Sequence, residues 1–269
     1  MLERMALHTR IVSLAVCVCL FSMGCEGQES TVPTETPAEV AESTVKAIEA
    51  PATESAAAET PVVSQEPSPE EQAAREAFRA MTAEGVSPEE VDAATEKLQE
   101  LGTAALPVLA EGLKSEESIH REMAATMLAL IGSGASSVSD ALIAALGDKS
   151  DFVRANAATA LAQMEGQASH VIPVFGDFLQ SEDANLRMMA VMNLGVLDPA
   201  DAKPLVNQLI ATLDSDDPTI LRPVVELLGK MGPDASDALV AIKALDTTDD
   251  DELETTVNAA VMQIEAGAE

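Results

Sequence analysis

The stretch DFVRANAATALAQM, Asp151 to Met164, carries a crowd of small residues around one arginine. Alanine at this density is what a helix needs when it must approach several neighbouring backbones at once, because Cβ is the whole side chain and adds no bulk. The bulk composition points the same way. The chain has 269 residues, 47% of them hydrophobic, but no Trp, no Tyr and five Phe. Such a core must be built from Ala, Leu, Val, Ile and Met, which favours helices over the aromatic-rich alternation of all-β folds.

The same pattern recurs along the chain. With Arg154 as reference, HREMAATMLALIG places Arg121 at the equivalent position, and LRMMAVMNLGVL places Arg187 there, a period of 33 residues. Each is followed at matching offsets by apolar or small residues: Ala124, Ala125, Leu128 and Ile131 in one copy, Ala190, Val191, Leu194 and Leu197 in the other. ILRPVVELLGKMG repeats the pattern with Leu221 in the arginine position and Val224, Val225, Leu228 and Met231 after it. LETTVNAAVMQIE repeats it with Glu254, Val257, Val261 and Ile264, and EEVDAATEKLQELG contributes Val91, Ala94, Leu98 and Leu101 upstream. A second ladder runs in phase: ALPVLAEGL, DALIAAL, IPVFGDFL, LVNQLIATL and LVAIKAL end at Leu113, Leu146, Leu179, Leu213 and Leu245. Two ladders in step describe a repeated pair of helices.

The punctuation fits helix pairs. SPEE at Ser68–Glu71 and at Ser87–Glu90 combines a capping serine, a proline for the first turn and a glutamate able to reach back to the cap. Asp217–Pro218 reads as another start, and Gly102, Gly132, Gly166 and Gly232 stand where left-handed C-caps are expected. Pro223 lies inside a helix and predicts a kink. A lone pair cannot bury its apolar face, so the order of each pair depends on its neighbours.

The motif D-x-V-R-x-x-A-A-x-A-L-x-x-M, Asp151 to Met164, resembles the HEAT repeat, and more narrowly the short bacterial HEAT-like repeats related to phycobilisome lyases. The resemblance runs, degraded, over about residues 87–266 and implies an all-α superhelical solenoid of about six helix pairs that binds other proteins. Tetratricopeptide repeats share a similar period, but their Trp, Tyr and Phe positions have no counterpart here. The resemblance also implies a structural use of arginine in this position. Arg121, Arg154 and Arg187 are therefore expected to bridge to acids such as Asp148 and Asp151 or to helix-end carbonyls, the alternative being an anionic ligand.

The N-terminus has a different character. Arg4 and Arg10 precede an apolar run, Ile11 to Phe21, too short to cross a bilayer that needs about twenty residues. Together with Gly24 and Cys25 this resembles a bacterial lipoprotein signal over residues 1–24, with Cys25 as the lipidated residue; Ser22 departs from the usual Leu-like residue. An ordinary secretory signal and an uncleaved signal anchor are the alternatives. Glu26 rather than Asp follows the cysteine, so the familiar inner-membrane retention signal is absent. Residues 25–67 are rich in Glu, Thr, Pro and Ala with Lys46 as the one basic side chain, and read as a disordered acidic tether. About forty such residues span roughly 35–40 Å. Residues 68–269 form the expected repeat domain.

Few chemistries remain open. A formal net charge of -31 disfavours nucleic acid and anionic lipid surfaces as direct partners. All three cysteines, Cys17, Cys19 and Cys25, fall in the first 25 residues, so nothing downstream offers a disulfide, thiolate metal site or cysteine nucleophile. Asp246 to Glu254, DTTDDDELE, lacks the spacing and central glycine of a calcium loop and reads as a solvated turn, as do Asp214, Asp216 and Asp217. His120 and His170 stand alone, and GSGAS at 132–136 lacks the lysine of a phosphate loop. Met188, Met189 and Met192 have the spacing of core residues, with an adaptable binding patch as the alternative.

The expectation is therefore a non-enzyme with no catalytic residues, metal or cofactor and no small-molecule substrate. It would be exported, lipid-anchored to the bacterial envelope and facing the periplasm or exterior, and would present a concave surface lined by the second helices to a protein partner. A lyase-like or chaperone-like factor for a cofactor-bearing protein and a plain structural spacer are the alternatives. Replacing Leu161 by Asp should unfold the central repeats, since truncating a core Leu already costs about 2–5 kcal/mol and a buried charge costs more. An unchanged thermal transition would contradict the stacking.

Overall fold

The computed structural model describes residues 67–215 and 218–266. The signal-like segment, Cys25, the tether through residue 66, and Asp216 and Asp217 lie outside the described residues. Within them every regular element is helical, and the helices fall into six pairs: α1 (Pro69–Met81) with α2 (Pro88–Leu101), α3 (Leu106–Gly112) with α4 (Ser118–Ile131), α5 (Ser139–Ala145) with α6 (Asp151–Ala162), α7 (Ala168–Leu179) with α8 (Ala184–Leu194), α9 (Val206–Thr212) with α10 (Pro218–Lys230), and α11 (Leu239–Lys243) with α12 (Asp251–Glu265). The second helices pack in series, α2 on α4, α4 on α6, and so on to α12. First helices also follow one another, α1 against α3 and α7 against α9. This is an all-α solenoid.

The alanines of the opening stretch are placed as their size demands. From Ala155 to Ala162 every residue of α6 is buried, and on α4 the same holds from Arg121 to Ala129. The repeat positions coincide with the core: Ala124, Ala125, Leu128, Ala157, Ala158, Leu161, Ala190, Leu194, Val224, Val225 and Leu228 have no exposed surface. Further along the stack the closest approach uses glycine. A Cβ on Gly229 of α10 would come within 2.9 Å of the Ala260 Cα of α12. The stretch Ser118–Ala145 has the length and hydropathy of a membrane span, yet it comprises α4, a turn at Gly132 and α5.

Local signals act as expected, with instructive departures. Ser87 and Glu90 form a complete capping box: the Glu90 N–H donates to Ser87 Oγ at 3.3 Å and the Ser87 N–H to Glu90 Oε2 at 2.8 Å. The Ser87 backbone N–H first, and its side chain second, hold the Glu90 carboxyl below its ordinary value. At the other SPEE the Glu71 N–H donates to Ser68 Oγ, but the Glu71 side chain turns to Arg75 instead. Gly102, Gly132, Gly166 and Gly232 all have positive φ. Gly102 and Gly132 take ψ of -120° and -129°, in the mirror-β region rather than the left-handed helical well, and each leads into a 3-10 turn.

The helical run of α10 passes through Pro223, and α7 carries a second internal proline, Pro173, because that helix begins earlier than its apolar core suggests. The last helix differs from its equivalents. Val261 is half-buried and Ala260 joins Leu253, Val257 and Ile264 in the core. No further described helix follows α12, so Asn258 and Met262 face outward. Substituting Gly229 by Ala should push α10 and α12 apart and lower stability by about 1–3 kcal/mol, measured by chemical denaturation; an unchanged midpoint would contradict the close approach.

Candidate functional site

The arginine ladder is the most ordered polar feature of the stack. Arg121 lies at the start of α4 with its side chain only 7% exposed. Its Nη1 donates to the carbonyls of Ser115 at 2.9 Å and Glu116 at 3.0 Å, which close the turn before α4. Its Nε and Nη2 take Asp148 of the next inter-helix turn bidentately, at 2.7 and 3.3 Å. One guanidinium thereby fixes two successive turns. Arg187 repeats half of this, donating through Nη1 to the carbonyls of Ser181 at 2.7 Å and Glu182 at 3.0 Å.

Arg154 breaks the series. The position in its repeat that matches Asp148 is Ser181, which is not an acid, and Arg154 pairs instead with Asp151 at 2.8 Å and stacks 5.0 Å from the Phe178 ring centroid on α7. All three arginines are thus engaged with the fold.

The leucine ladder closes the first helices: Leu113, Leu179 and Leu213 are buried, while Leu146 and Leu245 are half-buried against the core. Leu245 lies two residues past the end of α11.

Further polar bonds clip successive second helices together, and none was legible from residue type alone. Ser150 Oγ donates to Glu122 at 3.2 Å, Gln163 Nε2 to the Ala129 carbonyl at 3.2 Å, and Asn193 Nδ2 to Thr159 Oγ1 at 3.1 Å. On the surface, Arg75–Glu111, Lys203–Asp234 and Arg222–Glu252 join consecutive pairs. These exposed bridges contribute little individually.

Asp246 accepts from the backbone N–H and hydroxyl of Thr248, which hold its carboxyl below the ordinary range. Asp250 caps α12 through Leu253 N–H at 2.8 Å. The acidic run therefore builds a turn and a helix start, and no group of three His, Cys, Asp or Glu with metal-holding geometry occurs among the described residues.

The surface available to a partner is distributed unevenly. The second helices at the centre contribute almost nothing, because α4 and α6 are enclosed along most of their length. The second-helix side chains that reach solvent lie on α2, α8, α10 and α12, among them half-exposed Met188, Met189 and Met192 on α8 and Arg222 and exposed Glu226 on α10. The expected lining by second helices thus narrows to the downstream half and to α2. At the other end, α1, α3 and the start of α4 enclose an open cleft of about 470 Å³. His120 stands in this cleft, with Nδ1 3.1 Å from Ser115 Oγ, whereas His170 is exposed on α7.

Asp148 links the clasp to pH. Burial pushes its carboxyl up, but hydrogen bonds from Arg121, the Ser150 N–H and the nearby charges of Arg121 and Lys149 outweigh that and hold it below its ordinary value of 3.8. A carboxyl depressed on folding contributes stability above its unfolded value and loses it as pH falls through the folded one. Asp148→Asn should cost about 2 kcal/mol at neutral pH, and the gap to wild type should close below pH 3.8 in denaturation curves. A gap that persists in acid would contradict this origin.

A family model of HEAT repeats matches residues 106–175 and 172–261, together more than half of the chain. No curated protein is similar to it in sequence. Among solved structures, an engineered protein superposes with a TM-score of 0.55 at 19% identity over 73% of this chain and 90% of its own. A computationally designed armadillo repeat protein for modular peptide recognition gives 0.54 at 16% identity over 70% and 98%. The karyopherin Kap121p bound to Pho4p gives 0.52 at 15% identity, where this chain covers 72% of itself and 25% of the karyopherin. With the family match spanning both halves of the stack that the arginine clasps hold together, the chain belongs to the HEAT repeat proteins.

Proposed function

We propose that the protein is a non-catalytic protein-interaction scaffold held at the bacterial cell envelope by a lipid on Cys25. The observation that carries the scaffold reading is where the polar groups go. Arg121, Arg154, Arg187 and Asp148 are engaged in capping or clasping the stack, and Asp246 and Asp250 in building the last turn and helix start. No nucleophile, base and orienting group converge among the described residues, while the repeats hold an extended surface in fixed register. HEAT and armadillo folds typically serve this role, and the similar structures include a peptide-recognition design and a cargo-bound karyopherin. The envelope location rests on the apolar run and Cys25 in the sequence, with residues 25–67 spacing the repeats from the lipid.

Cross-linking in intact envelopes followed by purification of the full chain tests both parts. One protein enriched with wild type, and reduced when Cys25→Ala releases the chain from the membrane fraction, is the expected result. A co-purifying chromophore would favour a lyase-like factor, and the absence of any enriched protein would favour a spacer; either contradicts the scaffold. Equal incorporation of a palmitate analogue by wild type and Cys25→Ala would remove the anchor.

A further inference from the structure

We propose that the cleft at the N-terminal end of the solenoid, between α1, α3 and the start of α4, docks a short acidic segment of a partner protein through Arg79, Lys114 and the Phe78–His120 ring pair. The proposal deepens the scaffold reading and rests on it.

Charge is the first argument. In a chain of net charge -31, three cations, Arg75, Arg79 and Lys114, converge on one cleft. A single acid, Glu111, lines it with them, and Arg75 already neutralises that acid at 2.7 Å. Arg79 and Lys114 are exposed, and their side chains have no ion pair or hydrogen bond among the described residues. Of the other described cations, Lys97, Arg121, Arg154, Lys203, Arg222 and Lys243 each hold an acid, and Lys149 and Lys230, which hold none, do not line this cleft. Carboxylates arriving here gain charge-assisted bonds without breaking existing ones. Elsewhere the acidic surface repels them, so the field itself selects the site.

The floor of the cleft is the second argument. Phe78 and His120 face each other with ring centroids 6.1 Å apart and planes at 51°. Phe78 can lie this low because α3 has no side chain beneath it. A Cβ on Gly112 would stand 2.8 Å from Phe78 Cζ and 2.9 Å from the Ala124 Cβ. The rings add apolar surface to the cleft that the two unengaged cations also line. Carboxylates flanking an apolar residue match that layout, whereas a bare inorganic anion would leave the rings uncovered.

Size is the third. A volume of about 470 Å³ suits a few residues of extended chain and is too small for a folded domain.

The test is fluorescence anisotropy with the full chain and a labelled probe peptide, one phenylalanine flanked by glutamates, beside the same peptide with glutamines. Wild type should bind the glutamate probe in low salt, more weakly as salt rises, and prefer it over the glutamine version. Arg79→Glu with Lys114→Glu, both at exposed positions, should weaken it at least about tenfold while leaving the circular-dichroism melt unchanged. No binding of the glutamate probe, equal binding of both probes, or full affinity in the doubly reversed variant would overturn the proposal. If the cross-linked envelope partner is still captured by that variant, the scaffold reading stands and the cleft assignment falls. Loss of capture together with probe binding supports both.

Discussion

The structure depends on how closely consecutive second helices can approach. Where α4, α6 and α8 meet, the contact positions are Ala, Thr and Asn, and between α10 and α12 the position is Gly229. Small residues let each helix serve as core for the helices on either side, so α6 is enclosed although it is neither long nor rich in large apolar residues. Larger residues then fill the space toward the first helices, as Leu128, Leu161, Leu194 and Leu228 do. No pair has an interior of its own. Its order comes from the interfaces above and below, the condition that makes repeat proteins quasi-one-dimensional.

Polar groups set the register of this stack. An alanine-rich interface slides easily, because small side chains interlock weakly. Arg121 counters that by gripping its own turn and Asp148 of the next, while Gln163 reaches the Ala129 carbonyl and Asn193 reaches Thr159. Each bond is buried or partly buried and can form at one register. The enclosure of α4 and α6 leaves the exposed surface of the second helices to α2 and to α8, α10 and α12, while the cationic cleft lies beside α1.

Much of the fold was legible because it repeats. The 33-residue repeat of Arg121, Arg154 and Arg187, its weaker copies and the phased leucines located every helix but α1 by self-similarity, and the Ser-Pro-Glu-Glu starts marked where α1 and α2 begin. What could not be read is what depends on differences between repeats. Arg154 looks equivalent to Arg121, but the position matching Asp148 in its repeat is Ser181, and Asp151 and Phe178 supply its partners instead. Pro173 hides inside α7 because only Val171 and Ile172 of the helical residues before it are buried, too short a stripe to mark a helix start at Ala168. The cleft gathers Arg79, Lys114 and His120 from separate elements, each an unremarkable surface residue in its own segment. Periodicity reports what every repeat shares and is silent about features that occur once.

The central claim is that stacking, rather than any single pair, stabilises the domain. Guanidinium denaturation of a nested series, losing α11–α12, then α9–α10, then α7–α8, tests it most directly. The account predicts a midpoint that falls with every pair removed and an isolated α5–α6 pair, residues 139–164, with no cooperative transition. A lone pair that folds cooperatively, or a midpoint indifferent to the number of pairs, would contradict it.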